Sequence, residues 1–406
     1  MSTKTLLLIS VSLTATGLIL IRSHLFKSGE GIELINEGQV RIQGMVNEEP
    51  RQRGQRLYFN FQGYHITTSI YTKLTHGDII ALDGQSNSKE QIYFPKIEKI
   101  GREAGFWVSL SDFRTRIKDK IDSFLPEPQS SLLSGVLLGV DEGLPKDFDS
   151  ALRKTGTIHV VVVSGYNIGV VGGFFISLSS LLKRRWAIVA ALLAIIFYTF
   201  LTGAAAPTVR AAIMGGLAFF ATALGRQNWP IYALLLSAFI MLLVDPTLVS
   251  EISFQLSFMA TAGIILFKDY LSNFLKKIPS PFGEDLAVTV SAQALVVPLI
   301  FFHFGQVSPI SPIVNALILW TIPFVTYIGF GIAFFSFAFE PFARLLSFIA
   351  WVPLTIFIWV VEIFSKVPAS LIQIPKQNFL VLVSFYLVLG VIIFSLLKYV
   401  RIYKSK

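Results

Sequence analysis

The stretch KTGTIHVVVVSGYNIGVVGG, residues 154–173, decides the fold. It is apolar enough for a bilayer interior, yet it carries His159, Ser164 and Asn167 together with Gly165, Gly169, Gly172 and Gly173. Lipid offers no hydrogen-bond partners, and each polar group left in hydrocarbon costs several kcal/mol. Something other than lipid must face these side chains, while the glycines let helix backbones approach closely.

The rest of the chain supports a membrane setting. Of its 406 residues, 53% are hydrophobic and only 15% charged, and the mean hydropathy of +0.65 exceeds what a soluble core of this size needs. The fold class expected is mainly α, a polytopic membrane protein of about ten transmembrane helices. Cysteine is absent, which excludes disulfides, thiolate metal sites and a cysteine nucleophile. The five histidines, His24, His65, His76, His159 and His303, form no close-spaced ligand pair, so no metal site is expected. No Walker-type glycine loop is present, which leaves no ATPase and no cofactor in this chain. The net charge of +9 fits the basic cytoplasmic loops of a membrane protein.

Residues 1–22 form an apolar run flanked by Lys4 and Arg22, read as an uncleaved anchor. Residues 31–102 alternate polar and apolar in QVRIQGMV, RLYFNFQ, YHITTSIY, DIIALDG and QIYFPKI, predicting five strands in a small all-β, OB-like domain. Tyr58, Phe59, Phe61 and Tyr64 are its candidate base-stacking faces, although its acids nearly balance its bases. Residues 103–130 place Phe106, Leu110, Phe113, Ile117, Ile121 and Phe124 at helical spacing among basic residues, the pattern of an amphipathic helix on a surface. The multi-pass domain follows at 131–400, with crossings near 156–182, 186–203, 206–224, 230–244, 252–267, 286–303, 310–336, 346–364 and 379–397. The 310–336 stretch is too long for one straight span and predicts a tilted or broken helix around Asn315 and Pro323. A basic tail closes the chain at 401–406.

Counting basic residues in short loops puts Lys4, Lys183–Arg185, Arg226, Lys268, Lys276, Lys277, Arg344 and the C-terminal bases inside, with only Lys366 and Lys376 outside. Both termini are then cytoplasmic and the β domain extracytoplasmic. With that orientation His159, Arg210, Glu251, Gln255 and His303 fall in the outer half of the bilayer, with Asn167 about 12 Å deeper than His159 and Gln293 midway through its span. These residues and Ser164 are the candidate lining of a hydrated vestibule. Arg210 calls for an anion or a carboxylate such as Asp245 or Glu251. Against this, most of these polar groups taken singly would serve as ordinary interhelical hydrogen bonds. On a regular helix His159 and Ser164 lie about 140° apart, too far round for a nucleophile–base pair unless the helix breaks at Gly165. No catalytic set is therefore assigned, and the chain is expected not to be an enzyme.

At these residues the chain resembles the ComEC competence family, membrane channels for single-stranded DNA. KTGTIHVVVVSGYNIGVV is similar to that family's SGTxHLLAxSGLHVGLV signature. LLSGVLLGVDEGLP, FLTGAAAPTVRAAIM, DPTLVSEISFQLSFMATAGI and AQALVVPLIFFHFGQVSPISPIVN resemble its later motifs in the family's order. Within these stretches Gly165, Gly169, Pro207, Asp245 and Asn315 stand as structural motif positions. The resemblance implies transport of single-stranded DNA across a bacterial cytoplasmic membrane in natural transformation. It also implies membrane lipids as surroundings and, as partners, a cytoplasmic motor ATPase or helicase and an external DNA receptor. Asn167 stands where the signature usually has a histidine, and one anchor precedes the β domain where relatives often have more. No metallo-β-lactamase-like HxHxDH motif occurs, so a nuclease is expected to be a separate protein. Two other classes remain open from the residues alone: a permease for a small or lipid-like solute, and an intramembrane hydrolase using His159 and Ser164.

Overall fold

The computed structural model describes residues 32–390 apart from 37–38, 47–49, 54–55, 70, 73, 87–90, 141–142, 164, 178–179, 181–182, 224–228, 374–377 and 379. The expected anchor at 1–22, the tail at 401–406, Ser164 and the end of the 379–397 crossing lie outside the described residues.

The N-terminal region forms strands β1 (Ile32–Asn36), β2 (Gln39–Met45), β3 (Arg51–Arg53), β4 (Arg56–Phe61), β5 (Tyr64–Ser69), β6 (Asp78–Gln85), β7 (Gln91–Tyr93) and β8 (Lys96–Arg102). They build two four-stranded sheets, β1-β2-β6-β8 and β3-β4-β5-β7, eight strands where five in a small OB-like barrel or sandwich are expected. All five segments read from the alternation do form strands. QIYFPKI splits in two because Phe94 takes a φ of 49° and Pro95 cannot donate to a ladder. Its halves join different sheets, β7 parallel to β5 and β8 antiparallel to β6.

Inward residues of both sheets share one core: Val40 and Ile42 on β2, Ile80 and Leu82 on β6, Leu57, Phe59 and Phe61 on β4, Ile66 on β5 and Ile92 on β7. Phe59 and Phe61 are therefore core residues and not stacking faces, 5% and 1% exposed. They sit on the same side of β4 as Leu57, the side that faces apolar neighbours. The exposed aromatics are instead Tyr71, Tyr93 and Phe94, with the Arg56 guanidinium 5.6 Å from the Phe94 ring centre.

The helices are α1 (Phe106–Phe124), α2 (Gln129–Leu138), α3 (Lys146–Lys154), α4 (Gly165–Ser177), α5 (Arg184–Leu201), α6 (Ala206–Ala223), α7 (Pro230–Val244), α8 (Ile252–Phe274), α9 (Phe282–Phe304), α10 (Ser311–Ile318), α11 (Thr321–Ala338) and α12 (Glu340–Ser365), followed by α13 (Leu380–Gly390). By length and composition five stretches suffice to cross a bilayer: Ile158–Ser177, Arg184–Leu201, Phe282–Phe304, Thr321–Ala338 and Glu340–Ser365. Helices α2, α7 and α13 and the Ala206–Ala221 stretch of α6 are apolar but shorter. The expected crossing at 252–267 is the helix α8, which extends to Phe274 and takes in Lys268 and Asp269.

Contacts divide the chain into two compact units. One holds the described residues up to Asp149, Val160–Pro246 and Thr321–Ile358; the other holds Ser150–His159, Thr247–Trp320 and the described residues from Trp359 onward.

Two expectations about the spans change. The 156–182 stretch is not one helix: a 3-10 turn at Ile158–Val160 is followed by non-helical residues, and α4 starts only at Gly165. At 13 residues α4 rises about 20 Å, short of a hydrocarbon core of ~30 Å. The 310–336 stretch breaks, as its length requires, and the break falls at Leu319 and Trp320 between Asn315 and Pro323.

Within the first unit α1 lies across the ends of other helices. Trp107 meets Phe200 edge-on at 4.9 Å, and Phe113 stacks on Phe337 at 5.8 Å. Lys120 is 3.7 Å from Glu340, and the Arg344 guanidinium is 6.0 Å from the Phe124 ring. Its buried residues are Val108, Leu110, Ile117 and Ile121; Leu110, Ile117 and Ile121 belong to the expected apolar stripe, whereas Phe106 and Phe113 are exposed. Arg344 thus packs beside α1, whereas the loop count puts Arg344 inside and the β domain that precedes α1 outside.

Candidate functional site

In the first unit the polar residues converge on α2. All ten of its residues are buried, so its C-terminal carbonyls have no access to bulk solvent and must be satisfied within the protein. The accounting is complete. Gly139 takes a left-handed conformation, φ 69°, and its N–H donates to the Gly135 oxygen at 2.9 Å. Asn167 Nδ2 then donates to Val136 O at 2.6 Å, Tyr198 Oη to Leu137 O at 2.7 Å and Arg114 Nη2 to Leu138 O at 3.0 Å. Three side chains from α4, α5 and α1 cap three successive carbonyls, and the guanidinium also complements the negative end of the helix dipole. Asn167 is 1% exposed, so its amide donor is committed to this cap. Its Oδ1, with Ser134 Oγ, Thr208 Oγ1 and Thr326 Oγ1 in the same unit, has no protein hydrogen-bond partner among the described residues. Buried groups of this kind are met by internal water.

In the second unit the polar residues converge on Ser311. Its Oγ accepts from Gln293 Nε2 at 2.9 Å and from Asn315 Nδ2 at 3.3 Å, and it donates to Gly156 O at 3.4 Å. The same carbonyl lies 3.0 Å from His159 Nδ1, which makes that nitrogen the protonated one. Gly156 has φ 69°, and a Cβ there would stand 3.0 Å from Ser311 Cβ, so both the turn and the contact require glycine. His159 is exposed on the 3-10 turn, and Gln293 is half-buried.

A second pair lies at the start of α8 and the end of α9. His303 Nε2 is 3.0 Å from Gln255 Oε1, an acceptor, while Gln255 Nε2 donates to Val249 O at 2.9 Å. Gln255 is thereby fixed in orientation from both ends of its amide. Glu251 precedes α8 and is exposed; Ser253 Oγ donates to its Oε2 at 3.4 Å.

The remaining candidates are more dispersed. Arg210, half-buried on the first unit's α6, directs Nη1 to Met214 Sδ at 3.6 Å. Pro207 occupies the first turn of α6, where its missing N–H costs nothing, and Asp245 ends α7. Of the four glycines, Gly165 and Gly172 serve close packing: a Cβ would meet Ala211 Cβ at 3.4 Å and Phe219 Cε2 at 2.4 Å respectively. Around Gly169 and Gly173 a Cβ would meet nothing within 4 Å among the described residues.

Sequence reasoning missed Ser311, Tyr198 and Arg114. Ser311 and Asn315 stand one helical turn apart, a legible signal; the other two cap carbonyls remote in sequence, and no local pattern reveals that. Among the described residues no group of three His, Asp or Glu side chains is placed to hold a metal.

The comparisons with known proteins agree with the motifs. ComE operon protein 3 of Bacillus subtilis is 28% identical over 233 residues, 57% of this chain and 29% of that protein. Competence protein ComA of Neisseria gonorrhoeae is 25% identical over 259 residues, 60% of this chain and 36% of that protein. Recombination protein 2 of Haemophilus influenzae is 24% identical over 235 residues, 53% of this chain and 30% of that protein. The match thus spans about a third of these relatives' own lengths. No solved structure matches. The competence protein family model matches residues 136–399, taking in the three capped carbonyls at the end of α2 and the Ser311 cluster, and on that match the chain belongs to the competence protein family.

Proposed function

We propose that the chain forms the path by which single-stranded DNA crosses the cytoplasmic membrane in natural transformation, as a conduit without chemistry of its own. The observation that carries this reading is the pair of polar clusters around Ser311 and around Gln255–His303, set in predominantly apolar helices. Phosphates passing a bilayer need donors that hold them weakly enough to release them. Amide and imidazole N–H groups that already donate to neutral oxygen acceptors meet that need, since each exchanges one such acceptor for a phosphate oxygen. Arg210 in the first unit and His159 in the second supply positive or protonatable groups for entry. Asn167 acts indirectly, by fixing α2.

The finer arrangement is part of the proposal. We infer about ten crossings, an inner-membrane location, an extracytoplasmic OB-like strand domain and a cytoplasmic N-terminus. The contact of Arg344 with α1 supports a connection between α11 and α12 on the side of α1, and the basic tail favours a cytoplasmic C-terminus. The exposed Arg56, Tyr93 and Phe94 of the strand domain offer a first stacking contact for bases. A cytoplasmic motor ATPase or helicase, an external DNA receptor and a separate nuclease complete the pathway.

The test is a deletion strain fed fluorescent DNA. Loss of cytoplasmic signal with DNA still held at the cell surface supports the conduit. Normal entry removes it, and a permease for small solutes would leave entry unaffected.

A further inference from the structure

A cleft of about 420 Å³ lies in the first unit, between the C-terminal end of α1 and the first three turns of α12, lined by Ser123, Phe124, Arg344, Ser347, Phe348 and Trp351. None of these residues belongs to the clusters described above. The four from α12 sit at i, i+3, i+4 and i+7, one face of the helix.

Depth sorts them by chemistry. Between Arg344 and Glu362 helix α12 carries no charged residue, a rise of about 27 Å that matches a hydrocarbon core of ~30 Å. Arg344 is therefore at head-group level, and Phe348 and Trp351 lie about 6 and 10 Å deeper, at the level of acyl chains. Phe348 is 73% and Trp351 40% exposed, as expected of side chains whose solvent is lipid. At the head-group end the charges are unequal: Lys120 and Arg344 share the single carboxylate of Glu340, at 3.7 and 2.8 Å. Glu340 engages two of the five guanidinium donors, through Nε at 3.2 Å and Nη2 at 2.8 Å.

We propose that this cleft is a binding site for one anionic glycerophospholipid. Its phosphodiester is held by Arg344 with Lys120, and an acyl chain lies along Phe348 and Trp351. The volume holds a head group and the start of a chain, and the remaining lipid stays in the bilayer. A bound lipid would brace α1 against α12 on the face where α1 crosses the helix ends.

The test is native mass spectrometry of the purified full chain in detergent with phosphatidylglycerol or phosphatidylcholine added. The site predicts one retained phosphatidylglycerol per chain and about tenfold weaker retention of phosphatidylcholine. Arg344→Ala and Phe348→Ala each lose that bound lipid; both residues are exposed, so neither change threatens the fold, and Arg344→Lys retains part of the binding. Equal retention of the two lipids, or wild-type retention in Arg344→Ala and Phe348→Ala, overturns the proposal. So does displacement of the lipid by an oligothymidylate whose own binding needs Arg344.

Discussion

Asn167 donates its side-chain amide to the carbonyl oxygen of Val136 at 2.6 Å, closing one of three caps on the buried end of α2. Asn167→Ala leaves that carbonyl unsatisfied, at a cost of about 1–3 kcal/mol. Asn167→Asp, which has no donor when ionised, costs more. Thermal unfolding of the purified protein in detergent reads both: the expected order of midpoints is wild type, then Ala, then Asp. An Asp variant as stable as wild type would show that the amide is not the cap.

Gly156→Ala strains a left-handed turn and pushes on Ser311, whose Cβ would be 3.0 Å from the new methyl. The expected loss of stability is ~1–2 kcal/mol. Ser311→Ala leaves the turn intact but removes the shared partner of Gln293 and Asn315. Transformation frequency should fall in both variants, and midpoint temperature chiefly in Gly156→Ala.

Gln255 and His303 form a pair whose contribution to stability should be small, because a double-mutant cycle on a hydrogen bond between membrane helices averages about 0.6 kcal/mol. Gln255→Ala and His303→Ala should therefore insert and unfold nearly as wild type does while transformation drops to background. A purely structural pair would do the reverse, with transformation tracking stability.

Sidedness can be read directly, since the chain contains no cysteine and any introduced one is the sole reactive thiol. Lys120→Cys and Arg344→Cys should label from the same side with a membrane-impermeant maleimide, and Lys183→Cys from the opposite side. Labelling of positions 120 and 344 from opposite sides would contradict the shared face that the 6.0 Å contact between Phe124 and Arg344 defines.

The sequence made some features plain because their causes are local. Alternation marked the strands of the β domain, helical spacing marked α1, and excess length marked the break that appears at Leu319 and Trp320. Loop charge sets Arg344 apart from α1 because it reports an average tendency, whereas packing brings its guanidinium 6.0 Å from the Phe124 ring. Asn167 was legible as a buried polar residue but not as a cap, since its partner Val136 stands in an apolar run that shows no polar signal. Phe59 and Phe61 illustrate the same limit: an aromatic in a strand reads alike whether it faces bases or core.

Passage of DNA through this chain is read by cytoplasmic entry of fluorescent DNA in a deletion strain complemented with wild type, Arg210→Ala or Gln255→Ala. Wild type should restore entry, and both variants, present in the membrane at normal levels, should leave DNA at the cell surface. Entry restored by both variants to the wild-type level would contradict passage through the chain.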